Sequence, residues 1–389
     1  MFTLKLFFYI SICIVFYTYC GYAIITLILL KFKKKTNPDF DKKEANKSVT
    51  LLIAAFNEEK IIESKILNCL DIDYPKSLLS IYIVTDGSTD KTTEIVKKYP
   101  EITLFHNNNR DGKVSAITRV MKFVTSEIVV FSDANTLLNK DSISKIVAHY
   151  SDPKVGGVAG EKKVVSLEKN KVAGEGEGLY WKYESFLKRI DSAFYSVVGA
   201  AGELFSVRTA LYENPGRDTI LDDFVISLNV CQKGYTIKYE PGAFATETPS
   251  ASIKEEKKRK IRISAGAFQG MMMMKNLLKF WKSPRLSFLY ISHRVLRWTL
   301  SPLLLPFIFI INVLICITTY DLFFQVLMLS QFFFYMMAIL GWILPKLKIN
   351  FKPAFFAYYF VFMNISLYQG FLRHIKGTQS VLWEKAKRA

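Results

Sequence analysis

The chain has 389 residues, 50% hydrophobic and 22% charged, with a formal net charge of +18 and a mean hydropathy of +0.18. Those figures exclude a single soluble domain, which would be less apolar, and a wholly intramembrane protein, which would be less charged. The ends are apolar and the middle is not, so one soluble domain of roughly 220 to 250 residues carried on membrane segments is the natural division. A domain of that size can bury a full core. The five cysteines, Cys13, Cys20, Cys69, Cys231 and Cys316, show neither metal nor disulfide spacing. They read as small hydrophobes in a reducing compartment. The basic excess gathers beside the apolar segments, at Lys31 to Lys35 and at Lys254 to Arg262. That placement points to anionic lipid rather than nucleic acid.

Leu6 to Leu30 carries no charge and is long enough to cross a bilayer as a helix. It is too long for a cleaved signal peptide, and no small-residue cleavage site precedes the lysines. Those lysines set the carboxyl end of the span in the cytoplasm. The division is therefore a membrane helix over 1–31, a polar linker over 32–48 and a cytoplasmic domain over 49–250.

Within that domain strands and helices alternate. Val49 to Ala55 is a buried strand, followed by Phe56-Asn-Glu-Glu59 and an amphipathic helix to about Leu70. Ser80 to Thr85 is a second strand, ending in Asp86-Gly-Ser-Thr-Asp90 and followed by a helix to about Lys98. Ile102 to Phe105 is a third strand. Asn107-Asn-Asn-Arg-Asp-Gly-Lys113 then turns into a helix from Val114 to about Val124. The pattern predicts a mostly parallel, doubly wound α/β sheet with its polar residues at strand ends.

The fourth strand, Ile128 to Phe131, runs straight into Ser132-Asp-Ala-Asn135. Ligands of such sheets bind just past the carboxyl ends of the strands. A carboxylate there, with a second oxygen ligand two residues on, suits a divalent cation gripping a diphosphate. The competing reading makes Asp133 a cap for a following helix.

Further on, Val155 to Ala159 reads as a strand and Leu179 to about Tyr195 as an amphipathic helix. Val198 to Val207 is rich in small residues, where backbone must approach something closely. Thr219 to Leu228 opens a helix with Asp222 and Asp223 in its first turn, and Tyr235 to Tyr239 is another strand. Ala251 to about Trp281, within a unit over 251–298, reads as a basic, then Met-rich, amphipathic segment at the membrane surface. Three apolar spans follow within 299–372, at about Leu300–Thr319, Leu322–Leu344 and Pro353–Leu372, before a basic tail over 373–389. Three crossings would place that tail outside. Its Arg373, Lys376, Lys385, Lys387 and Arg388, like Lys346, Lys348 and Lys352 in the preceding loop, favour the inside. Either one segment is re-entrant or interfacial, or the charge rule fails here.

Taken together, Ala54-Ala-Phe-Asn-Glu58, Asp86-Gly-Ser88, Asp111-Gly-Lys113, Ser132-Asp-Ala-Asn135 and Asp222-Asp223 resemble a membrane-bound family 2 glycosyltransferase. The similarity is to the branch of poly-N-acetylglucosamine, hyaluronan and cellulose synthases, and it covers the chain from the first strand past Arg262. The resemblance implies a GT-A-type nucleotide-sugar-binding domain in a multi-pass protein of the cytoplasmic (inner) membrane. It also implies an inverting enzyme that takes a sugar from a nucleotide donor, UDP by preference, to a saccharide or lipid-linked acceptor.

The resemblance assigns residues as well. Ala55, Phe56, Asn57 and Glu58 line the nucleotide pocket, and Asp86 binds the uracil or ribose edge. Lys113 stands near the phosphates, and Arg262 clamps the diphosphate. Gly199 and Gly202 belong to the acceptor segment. Asp133 and Asn135 match the Asp-x-Asp motif that holds Mg or Mn, with an amide in place of the second acid. An amide oxygen can still ligate, with one less negative charge to hold the metal. Asp223 matches the general base and Asp222 its neighbour. Arg259-Lys-Ile-Arg-Ile263 stands where the family has Gln-x-x-Arg-Trp, so Ile263 replaces the Trp that supports the acceptor sugar in processive enzymes. Trp181 and Tyr183 are aromatics that could stack on sugar, with core packing the better expectation. The alternative function is a catalytically silent, membrane-anchored nucleotide-sugar sensor, encouraged by Asn135. A transporter is disfavoured, because its polar residues would lie within the spans.

Overall fold

The computed structural model describes residues 1–33, 46–165, 171–347, 349 and 351–382, with backbone alone for 171–177, 179 and 180. The expectations placed on Lys348, Lys385, Lys387, Arg388 and most of the 32–48 linker fall outside the described residues.

Eight strands form one sheet: β1 Val49–Ala55, β2 Leu79–Asp86, β3 Ile102–Asn107, β4 Ile128–Asp133, β5 Leu137–Leu138, β6 Val155–Val164, β7 Leu204–Arg208 and β8 Thr236–Glu247. Their spatial order is β3-β2-β1-β4-β7-β6-β8-β5. The β3-β2-β1-β4 half is wholly parallel, as the strand–helix alternation predicts. β7 enters antiparallel to both β4 and β6, and β8 is again parallel to β6. Helices cover both faces, so alternate residues of a strand enter different cores. Leu52 and Ala54 of β1 join Val129 and Phe131 on one side, while Leu51 and Ile53 join Val130 and Ile83 on the other.

This register fixes the site. Ala54 lies beside Asp133 and Ala55 beside Thr85, so β1, β2 and β4 end together at one rim. β4 extends through Ser132 and Asp133, and the next helix starts only at Ser142. Asp133 therefore caps no helix, and that reading is overturned. The helix Asp222–Gln232 begins with the two predicted acids.

Among the described residues four helices are long and apolar enough to cross a membrane: Phe2–Phe32, Leu300–Thr318, Leu322–Leu347 and Lys352–Ile375. The first is pinned at both ends. Lys5 pairs with Asp321 at 2.7 Å, and Lys33 donates to the carbonyls of Ala193 and Phe194 at 2.6 and 3.0 Å. Pro306 is in the interior of Leu300–Thr318. It has no N–H to give the carbonyl of Pro302, and the hydroxyl of Tyr368 takes that carbonyl instead.

Ile253–Met273 is not the loose surface stripe expected of a basic amphipathic segment. Lys254 and Lys258 face outward, but Glu256, Lys260 and the run from Ser264 to Phe268 are buried. The helix is tied to the α/β domain through Gln269, which accepts from Ile220 N at 2.9 Å and donates to Asp218 O at 2.7 Å. Lys352–Ile375 runs beside it in the same direction. Phe355 packs with Ile253, Tyr359 donates to Glu256 at 3.5 Å, and the tilted rings of Phe268 and Phe371 lie 4.9 Å apart. This last helix is thus held along Ile253–Met273 over most of its length.

Gly370 is where the two helices touch: an added Cβ would stand 2.4 Å from Ser264 Cβ and 2.8 Å from Ala265 N. Gly370→Val should therefore cost about 1–3 kcal/mol by overpacking. The check is a lower thermal midpoint of the detergent-solubilised protein, with Ala intermediate.

Candidate active site

Phe56, Asp86 and Lys113 hold a narrow slot at the ends of β1 and β2, closed by Ala55, Arg110 and Gly112. The Arg110 guanidinium lies 3.9 Å over the Phe56 ring. Asp86 accepts from Gly112 N at 2.7 Å, and Arg119 stands 3.8 Å from its other oxygen. Burial pushes the Asp86 carboxyl up, against the pull of the Gly112 N–H. Asn57 sits at φ 52, a left-handed backbone that asparagine tolerates, and its side chain accepts from Thr89 N at 2.8 Å. Glu58 is buried beside it, its N–H bonded to Thr92 Oγ1 at 2.7 Å.

The centre of the site is an ammonium among carboxylates. Lys113 Nζ lies 2.9 Å from Asp133 Oδ1 and 3.8 Å from Asp222 Oδ2. Burial lowers the pKa of Lys113, but Asp133, Asp222 and Asp223 outweigh it, so the net shift is upward and the group is a fixed cation. Asp223 Oδ1 accepts from the N–H of Phe224 at 2.8 Å. Its other oxygen faces Gly202, where an added Cβ would sit 3.3 Å from both Asp223 Oδ2 and Lys113 Nζ. Burial first, and the charge of Asp222 next, push the Asp223 carboxyl up to about 7, with Lys113 opposing. Burial also raises Asp133, opposed by the same lysine. Arg262 faces Asp222, Asp223 and Asp133, which counter the lowering that burial imposes on it.

The predicted residues converge, with three refinements. Gly199, at φ +98, lines the cavity and also makes a close approach to the Phe224 ring, which an added Cβ would run into. Arg259 pairs with Glu256 at 2.9 Å, and Lys260 stands 3.6 Å from the same carboxylate. Tyr183 packs against the core, as expected, and also lines the cavity, while Trp181 lines the cavity beneath the ammonium groups of Lys162 and Lys188 at 5.1 and 5.4 Å.

Sequence reasoning missed Arg110, Arg119 and the buried Lys65, whose Nζ bonds Ser132 Oγ and Thr136 O at 2.8 Å each. It also missed Arg294 and Arg297, which pair with Glu184 on the cavity wall. Periodicity carried one signal: Ile62, Lys65, Ile66 and Cys69 form an i, i+3, i+4, i+7 stripe, which turns Lys65 inward.

Lys113, Asp133, Asp222, Asp223 and Arg262 open into one cavity of about 2250 Å³. It runs from Asn57 and Asp133, past Asp223 and Arg262, to Phe334, Phe356 and Phe360 on the apolar helices. Thr378 to Leu382 of the tail also line it.

Residues 50–214 match the family model described as glycosyl transferase family 2. Over those residues the chain is similar to a family 2 glycosyltransferase domain. A poly-beta-1,6-N-acetyl-D-glucosamine synthase of Staphylococcus aureus is 26% identical over 255 residues, 62% of this chain and 60% of that protein. The enzyme of the same name from Staphylococcus epidermidis is 26% identical over 257 residues, 62% of this chain and 59% of its own. The chain thus spans about three fifths of these relatives' length. A mannosyltransferase from Pyrobaculum calidifontis, solved with GDP-Man and Mn2+, superposes with a TM-score of 0.73 at 20% identity over 96% of this chain and 99% of that one. It shares the GT-A fold, with its sheet and apolar helices.

Asp133, Lys113, Asp223 and Arg262 stand around one space, and Asn135 and Ile263 are where the chain differs from the motifs it resembles. For a divalent metal, no group of three His, Cys, Asp or Glu side chains converges among the described residues. The oxygen donors beside the diphosphate position are Asp133 and the Asn135 carbonyl oxygen, which is buried without a hydrogen-bond partner. Such a set fits an ion that keeps most of its shell as water and substrate oxygens.

If Asp223 is the working base, its carboxylate is the active form and its protonated form is not. kcat/KM should then rise with pH, about tenfold per unit below 7, and level off above it. Asp222→Asn removes a charge that raises Asp223, so the rise should move to lower pH. A pH–rate profile of both proteins checks the sign.

Proposed function

We propose that this chain is an inverting glycosyltransferase that moves a sugar from a nucleotide donor, UDP by preference, to an acceptor at the cytoplasmic face of the inner membrane. One observation carries the reading: Asp223, Lys113, Asp133 and Arg262 surround a single space that reaches the apolar helices, and Lys113 also lines the adjoining Phe56–Asp86 slot. The base occupies the slot, with Asp86 accepting from its edge. Lys113 and Arg262 hold the diphosphate. A divalent metal, Mg or Mn, held by Asp133 and Asn135, neutralises the leaving diphosphate when bound.

The step is a single displacement. Asp223 takes the proton of the acceptor hydroxyl while that oxygen bonds to the anomeric carbon, and the bond from that carbon to the diphosphate breaks. Configuration inverts because attack and departure are on opposite faces. Asp222 keeps the Asp223 pKa near neutrality, where a base is most effective. A catalytically silent sensor would have no use for a carboxylate so tuned, and nothing in the cavity favours one.

The acceptor is lipid-linked on this reading. At the membrane end the wall is mostly apolar, formed by Phe334, Phe356, Phe360, Met363 and Leu367, with the Tyr359 hydroxyl bonded to Glu256 and the Asn364 side-chain carbonyl oxygen as its polar group. Phe356, which lines the cavity, is 55% exposed, so the wall is open at this end. Three crossings, with Lys352–Ile375 lying along the domain, put Lys346, Lys352 and the tail inside, as their charge prefers. The product belongs to polysaccharide or glycolipid biosynthesis.

Asp223→Asn should reduce transfer by at least about 10³-fold while nucleotide-sugar binding stays within about twofold; near-normal turnover would sink the assignment. A panel of nucleotide sugars, read by metal-dependent release of nucleoside diphosphate, identifies the donor. Mass spectrometry of the product should then find a lipid carrying one added sugar; a free polymer would overturn the lipid-linked reading.

A further inference from the structure

The metal-site turn holds an amide where the family has an acid, and a second carboxylate lies against that amide. Glu247, the last residue of β8, accepts from Asn135 Nδ2 at 2.9 Å across 112 positions of sequence. Glu247 is buried and ion-paired with Lys162. Lys162 is itself buried and pairs with Glu203 Oε1 at 2.6 Å. An ammonium only donates, so it keeps Glu247 an acceptor. Asn135 must therefore turn its NH2 toward Glu247 and its Oδ1 away. That Oδ1 is buried and has no hydrogen-bond partner among the described residues. Native proteins seldom keep such an orphan unless a ligand satisfies it.

We propose that Glu247 is a positioning residue that stands in for part of what the missing acid would do. Held by Lys162, it fixes the Asn135 amide so that Oδ1 faces the cation. The negative charge of the motif is thereby moved one side chain away from the metal instead of being lost. The assignment rests on the donor-site reading above. It also explains why restoring the acid is not a simple gain. An Asp at 135 would set two carboxylates in hydrogen-bond contact, where each disfavours ionisation of the other. The complementary arrangement is an acid at 135 with an amide at 247.

The test uses the purified full chain in detergent, with Mn2+ binding followed by electron paramagnetic resonance in the presence of UDP, alongside thermal midpoints. Glu247→Gln should weaken Mn2+ about tenfold, because two amides leave the orientation open. Asn135→Asp alone should gain little or nothing, and this variant leaves the Glu247–Lys162 pair in place should Glu247→Gln fold poorly. Asn135→Asp combined with Glu247→Gln should bind Mn2+ more tightly than the unchanged protein. The inference is overturned if Glu247→Gln leaves Mn2+ affinity unchanged, or if Asn135→Asp alone tightens it as much as the double change. It is also overturned if the unchanged protein binds UDP but no Mn2+. Loss of UDP binding altogether in the unchanged protein would bring down the donor-site reading itself.

Discussion

The structure depends on one ammonium. Asp133, Asp222 and Asp223 arrive from the end of β4 and the start of the Asp222–Gln232 helix, and three ionised carboxylates in a half-buried cavity repel one another. Lys113 lies in contact with the first and close to the second, its side chain only 22% exposed. Burial first, and the charge of Asp222 next, push the Asp223 carboxyl toward neutrality, and Lys113 opposes that shift. The lysine thus holds the constellation together without cancelling the rise on Asp223.

The lysine can hold that position because its helix starts at the turn the β3 strand feeds. Gly112, at φ 93, permits the reversal, and its N–H anchors Asp86. The base slot and the diphosphate site are therefore built on one turn, and a change in one is felt in the other. Behind the neighbouring β4 turn, Lys65 supplies a second buried ammonium, bonded to Ser132 and Thr136. The segment carrying Asp133 and Asn135 is gripped from the rear as well as paired at the front.

Much of this was legible in the sequence. Period-two and continuous apolar runs located β1 to β4 almost to the residue, and the rule that sites lie at strand ends placed Asp86 and Asp133. Asp222 and Asp223 were found through the resemblance, since two acids at a helix start suit its dipole equally well. What was not legible has a common cause: it depends on pairs distant in the chain. Asn135 meets Glu247, Glu184 meets Arg294 and Arg297, and Pro302 meets Tyr368. No local pattern encodes such meetings. Lys65 is different, because the stripe around it was readable and only its charge argued for the surface.

The last apolar segment shows the limit of reading length and hydropathy alone. Lys352–Ile375 is long and apolar enough to cross a bilayer, yet its partners from Phe355 to Phe371 follow Ile253–Met273, a helix hydrogen-bonded to the α/β domain. A helix apolar on one side and packed on a basic helix on the other suits the boundary between lipid and water. Its inward aromatic residues then form the far wall of the cavity, and the tail beyond it returns to line the donor site. The same helix also packs on Leu322–Ile343, where an added Cβ at Gly341 would run into the Ala354 carbonyl and Phe334 meets Phe360 edge-on, so it joins the apolar helices to the α/β domain.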